Sequence, residues 1–127
     1  FVQPISAAKL QAVLSSHQRW LETEGRDGER LTLQGYDLSG QNLDGYDFSG
    51  TDFRGARLDR TSMKRVKLVA ADLRNASMLH TNFTGSDLRG ALLSDQALKR
   101  AVLLEALFDE AALAEPAVAA PTVNDAA

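Results

Sequence analysis

Over most of this chain the apolar residues recur at neither helical nor strand spacing. Stepping by fives from Leu33 gives Leu33, Leu38, Leu43, Phe48, Phe53, Leu58, Met63, Leu68, Leu73, Met78, Phe83, Leu88, Leu93, Leu98, Leu103, Phe108 and Leu113. All seventeen are Leu, Phe or Met, and the column holds both methionines and four of the five phenylalanines. A period of five fits neither the helical 3.6 nor the strand 2. It fits a chain that turns a corner every five residues. Two positions before each centre lies a mostly small column, Thr51, Ala56, Thr61, Val66, Ala71, Ala76, Thr81, Ser86 and Ala91 among them. The position before the centre is usually Asp, Asn or Ser, and two positions after it Gly recurs at 35, 40, 45, 50, 55, 85 and 90. Gly, Asn and Asp supply turn chemistry, because they tolerate positive φ or bond their own backbone.

A different pattern precedes the repeat. From about Ile5 to Glu24 a helical stripe runs Leu10, Val13, Leu14, His17, Trp20 and Leu21, and Gly25 and Gly28 stop it. The first round of the repeat carries Leu31, Tyr36, Gln41 and Tyr46 in the column that is small elsewhere. Bulk there makes sense if the helix packs over an open end. Trp20, Leu14, Tyr36 and Tyr46 are therefore expected to form a structural cap, with Trp20 as its anchor. Residues 96–115 keep the fivefold phase but lose glycine and fill with Ala, Leu, Glu and Lys, which are strong helix formers. Two readings stay open there, a continued solenoid and a C-terminal helix.

The units Tyr36-Asp37-Leu38-Ser39-Gly40, Thr51-Asp52-Phe53-Arg54-Gly55 and Ser86-Asp87-Leu88-Arg89-Gly90 resemble the A(D/N)LxG unit of the pentapeptide-repeat family. The resemblance covers about two thirds of the chain and repeats in phase. It implies an all-β solenoid, a right-handed quadrilateral β-helix of about four coils with an N-terminal capping α-helix. Residues twenty apart would then stack at the ~4.8 Å spacing of neighbouring strands. The organisation expected is a capping helix and turn over 1–30, the solenoid over 31–114, and an Ala/Pro-rich tail over 115–127. No single coil can bury its own flat ends, so the ends need covers.

Composition narrows the function. Apolar residues make up 44% but aromatics only 6%, so the core must be aliphatic. A net charge of -3 argues against a general nucleic-acid binder. Without cysteine there is no disulfide or thiolate site. The two histidines, His17 and His80, form no HxxxH or HxxE pair, so no metal is expected, and His17 lies on the packed helical stripe. Calcium-nonapeptide, EF-hand, P-loop and GxGxxG patterns do not occur. No enzyme activity and no cofactor are expected. No apolar run is long enough to cross a bilayer. The start Phe1-Val2-Gln3-Pro4 resembles no secretion signal, and with no initiator Met the chain is expected to be a fragment or a processed product.

What remains is a binding role. On the solenoid reading Leu92, Val102, Leu104 and Leu107 point outward on the last coil, which suits self-association or a protein partner. Twenty-residue stacking also puts Arg60, His80 and Arg100 in one column, and Arg54 with Arg74 in another. These make either a stripe for an acidic partner or a solvated surface balanced by Asp52, Asp59 and Asp72. Neither small-molecule substrate nor direct nucleic-acid contact is expected. The expected setting is bacterial, in the cytoplasm or as part of a secreted effector. The family resemblance adds an alternative, a DNA-mimicking protector of DNA gyrase or topoisomerase IV of the quinolone-resistance type. Against it stand the short rod, the basic cluster at its middle and the absence of loops extruded from the coils.

Overall fold

In the computed structural model of the protein, residues 2–108 are described. Backbone bridges join residues twenty apart, all of them parallel, and fall into four ladders. The ladders run Thr32–Asp52–Asp72–Leu92, Asp37–Arg57–Ser77, Asn42–Ser62–Asn82–Val102 and Asp47–Lys67–Asp87–Leu107. The remaining regular elements are short. Strand β1 (Gln3–Pro4) pairs in parallel with β2 (Tyr36–Asp37), helix α1 spans Ala7–Glu22, and a single turn, α2, spans Asp95–Leu98. The chain is a β-solenoid.

Its hydrogen bonding explains the sequence columns. Around Leu33 and Phe53, the Leu33 amide donates to Asp52 O at 2.8 Å, Asp52 to Leu31 O at 3.1 Å, and Gly35 to Arg54 O at 3.0 Å. Tyr36 N then closes the corner on Leu33 O at 3.1 Å. This leaves one amide per five-residue unit without a ladder partner, that of the residue after the centre. The Asp or Asn just before the centre takes it: Asp37, Asn42, Asp47, Asp52, Asp72, Asn82 and Asp87 each accept this N–H. An unpaired backbone donor is costly, which is why these residue types recur there.

From Gly35 to Gly90 every corner residue has positive φ, and the ladder enforces this even where glycine is absent. Arg60, Arg65, Ala70, Asn75 and His80 hold φ of 59°, 57°, 62°, 64° and 59°. Left-handed backbone costs a non-glycine residue about 1–2 kcal/mol, so the surrounding hydrogen bonds must outweigh it. Inside, Leu33, Leu38, Phe48, Phe53, Leu58, Met63, Leu68 and Phe83 are fully buried. The small column is buried too, and all but one of its hydroxyls donate to carbonyls: Thr61 Oγ1 to Leu38 O at 2.9 Å, Thr81 Oγ1 to Leu58 O and Ser86 Oγ to Phe83 O at 2.7 Å.

The first coil is covered by α1 and β1 together. Ser6 caps the helix by accepting Lys9 N at 3.1 Å, so the helix starts two residues later than its apolar stripe suggests. After α1 the chain returns against its own helix. A Cβ on Gly28 would lie 2.1 Å from Ser16 O, so only glycine fits. At the other end the solenoid continues through α2: Leu98 stays buried, and the bridges to Val102 and Leu107 resume afterwards. Between the two readings for 96–115, the described part is one helical turn followed by renewed solenoid. Phe108, the last described residue, occupies a centre position yet is 40% exposed. Leu113 and the 115–127 tail lie outside the described residues.

Candidate interaction surface

The last coil carries its apolar side chains outside. Leu92 is 40% exposed, Val102 44%, Leu104 65% and Leu107 52%. The ladders separate them. Leu92 belongs to the Thr32 ladder, Val102 to the Asn42 ladder and Leu107 to the Asp47 ladder. Val102, Leu104 and Leu107 therefore gather about the corner at Glu105, while Leu92 stands apart from them. They form a rim around the end of the rod, with Phe108 partly open beside it.

The charged residues divide into two classes. Three Asp-Phe/Leu-Arg units fold into closed clips. Arg54 meets Asp52 at 2.9 Å, Arg74 meets Asp72 at 2.7 Å and Arg89 meets Asp87 at 2.7 Å, each also through Nε to Oδ1. Arg54 and Arg74 stack as expected, and Arg54 reaches Asp72 as well at 3.9 Å. The arginine hydrogen bonds hold the Asp52, Asp72 and Asp87 carboxyls below their usual range. Arg57 is shared between Asp59 at 3.1 Å and Asp37 at 3.8 Å. Two carboxylates reach across coils instead: Asp44 accepts the Lys64 amide at 2.8 Å and Asp59 the Leu79 amide at 3.0 Å. The sequence reading missed both.

Arg60, His80 and Arg100 do fall in one column, since Arg60 N donates to Leu79 O and His80 N to Arg100 O. All three are exposed. Neither arginine has an ion pair among the described residues, and neither do Lys64 and Arg65.

At the capped end, Leu10, Leu14 and His17 are the buried contacts. Trp20 is half-buried at the rim, stacked on His17 at 5.5 Å and 14° and lying against Gly50. The covering residue is thus His17 more than Trp20. Its Nδ1 accepts the Leu31 amide at 3.0 Å, and its Nε2 faces Thr51 Oγ1 at 3.4 Å. Tyr36 lies beneath Lys9 Nζ, 5.4 Å from its ring centre, and Tyr46 packs on Phe48 at 5.8 Å.

A groove beside α1 is lined by Gln11, Leu14, Ser15, Gln18, Arg19 and Tyr46, with no carboxylate or histidine among them for acid–base work. Among the described residues no group of three His, Asp or Glu side chains converges as a metal site would. No described helix is long and apolar enough to cross a membrane.

No curated protein matches the chain significantly. Among solved structures it is similar to HetL from the cyanobacterium Nostoc, a pentapeptide repeat protein involved in heterocyst differentiation regulation. The identity is 24% over 72% of this chain and 35% of that one, with a TM-score of 0.54. It is also similar to Rfr23, a pentapeptide repeat protein from the cyanobacterium Cyanothece, at 23% identity over 65% of this chain and 52% of that one, with a TM-score of 0.47. The chain thus spans less than two thirds of either protein's length. At these identities the HetL match speaks to the fold alone. The sequence model described as pentapeptide repeats matches eight copies, over residues 33–68 and 64–95. With that match lying over the residues that build the buried column, this chain belongs to the pentapeptide-repeat family.

Proposed function

We propose that this chain is a non-enzymatic interaction module, a right-handed, four-sided rod of about four coils that meets a second copy of itself through its C-terminal coil. The observation carrying this reading is the outward rim of Val102, Leu104 and Leu107, with Leu104 65% exposed, on a rod whose other end is covered by α1. Exposed aliphatic groups of this kind seldom persist on monomers. Two identical ends can cover each other by two-fold symmetry, burying the rim and Phe108 together.

Sedimentation at increasing concentration tests it. A dimer that Leu107→Asp dissolves supports the reading; a strict monomer at high concentration overturns it. Protection of DNA gyrase or topoisomerase IV is the less favoured role. A DNA mimic needs a face of uncompensated negative charge, and Asp52, Asp72 and Asp87 are each closed by their own arginine. A supercoiling assay with the protein at micromolar concentration decides that question directly.

A further inference from the structure

We propose that the side of the solenoid built on the Asn42–Ser62–Asn82–Val102 ladder is a docking surface for an acidic protein segment that also carries aliphatic side chains. This deepens the interaction-module reading on a side that shares Val102 and Leu104 with the rim proposed for the dimer, and it does not require self-association.

The surface is defined by its edges. One corner is the Arg60–His80–Arg100 column, and the other holds Arg65, Gly85 and Glu105. Lys64 projects from the side between them. Arg65 extends along the rod: a Cβ on Gly85 would come within 3.3 Å of Arg65 Cγ, so the arginine stem occupies the place that the missing side chain leaves. On the Thr32 and Asp37 ladders Arg54, Arg57 and Arg74 are closed by Asp52, Asp59 and Asp72. Here Arg60, Lys64, Arg65 and Arg100 have no ion pair among the described residues. The charge of these residues is available to a partner in a way that the charge of the clipped arginines is not.

The carboxylates present offset it only in part. Asp44, at the capped end of the same side, accepts Ser62 Oγ at 2.6 Å and the Lys64 amide at 2.8 Å and attracts Lys64 and Arg65, so the two carboxylates Asp44 and Glu105 stand against the four cations Arg60, Lys64, Arg65 and Arg100. Glu105 sits at the far corner. Between the edges lie neutral hydrogen-bonding groups, Asn42, Ser62, Asn82 and Thr84. Toward the last coil the surface becomes apolar, with Val102 44% and Leu104 65% exposed.

Along the rod the second coil is cationic with Arg60, Lys64 and Arg65, the third neutral polar with Asn82 and Thr84, and the last aliphatic with Arg100 at its corner. Two coil steps separate Arg60 from Arg100, ~10 Å at the usual strand spacing. That is the rise of about seven helical residues, so carboxylates two turns apart can meet both arginines. A nucleic-acid backbone would satisfy the cations but leave Leu104 facing phosphate, and the chain as a whole carries a net charge of -3, which repels a long polyanion. A protein segment with both acids and aliphatics satisfies the whole surface.

The test is fluorescence anisotropy with a dye-labelled peptide repeating Glu-Glu-Leu and, separately, labelled oligothymidylate. The peptide is expected to bind the intact chain, more weakly as salt rises. Arg60→Glu and Lys64→Glu should each lower its affinity about tenfold, the size of coupling that close charge pairs give. Leu104→Ser should lower it about threefold, since its aliphatic area is only partly covered. Arg26→Glu makes the same change in net charge in the turn after α1 and should alter affinity less than about twofold at the screening of physiological salt. Thermal melts of each variant check that the fold persists. Absence of peptide binding at low salt, equal losses for Arg60→Glu and Arg26→Glu, or oligothymidylate binding as tight as the peptide would each overturn the proposal. Arg60→Glu should leave sedimentation unchanged, which keeps this test separate from that of the dimer.

Discussion

The Leu31 amide donates to Nδ1 of His17 at 3.0 Å, inside a contact where the histidine is only 1% exposed. The helix thereby satisfies a backbone donor that the first coil, lacking a coil beneath it, cannot satisfy itself. Because Nδ1 accepts, the proton of the neutral ring sits on Nε2, facing Thr51.

This pair makes stability depend on pH. Burial pushes the His17 pKa below its ordinary value of 6.5, with a smaller opposing contribution from its bond to Ser49. The unfolded chain therefore takes up the proton first as pH falls. The contribution of His17 should be fully present above about pH 6.5 and shrink as pH drops from there toward the folded value. Thermal melts from pH 8 to pH 5 should show a falling Tm in this window, and His17→Gln should flatten it. A second decline belongs below pH 3.8, where Asp52, Asp72 and Asp87 are held down by their arginines. His17→Ala should cost about 3 kcal/mol at neutral pH, since it opens a cavity and strands the Leu31 amide.

The dry shaft should respond by position along the rod. Phe83 is fully buried between coils, and Phe83→Ala should cost about 3–5 kcal/mol in urea unfolding. Leu103, only partly covered at the end, should cost about 1 kcal/mol on the same change. Equal losses would contradict a solenoid whose coils cover one another.

Asp59 shows how a unit without an Asp before its centre is completed. Its Oδ1 accepts the Leu79 amide from the next coil as well as Ser77 Oγ, and Oδ2 accepts from Arg57. Asp59→Ala leaves that amide unpaired and should cost about 1–3 kcal/mol. Asp59→Asn retains an acceptor for Leu79 and should recover most of the loss in the same melts.

Ala70 sits at a corner with φ of 62°. Ala70→Gly should raise stability by about 1 kcal/mol, because glycine removes the left-handed strain. A lower Tm for this variant would mean that the Ala70 methyl contributes packing beyond the corner itself.

The buried column from Leu33 to Leu98 was legible in the sequence because every unit repeats one environment, and its apolar phase needs no distant information. The cap was legible as a helix, from Leu10, Leu14 and His17. Its anchor was not, because the same stripe that places His17 on the coil places Trp20 at the rim. The β1 pairing of Gln3 with Tyr36 rests on two residues and left no periodic signal. The caps from Asp44 and Asp59 join residues twenty apart and become visible only once the stacking is applied. The open cations at Arg60, Lys64 and Arg65 looked, by composition, like the clipped ones at Arg54 and Arg74. Only the neighbouring Asp at two positions' distance tells them apart.

The twenty-residue bridging also sets how such a gene can change length. Losing one unit, such as residues 66–70, would slide every later side chain a quarter of a circuit, carrying Arg74 and its clip onto the side now held by Lys67 and Asp87. Losing a full circuit would shorten the rod and leave each edge with the neighbours it already has. Insertions and deletions in this chain are therefore expected to survive in whole circuits, whatever the individual residues happen to be.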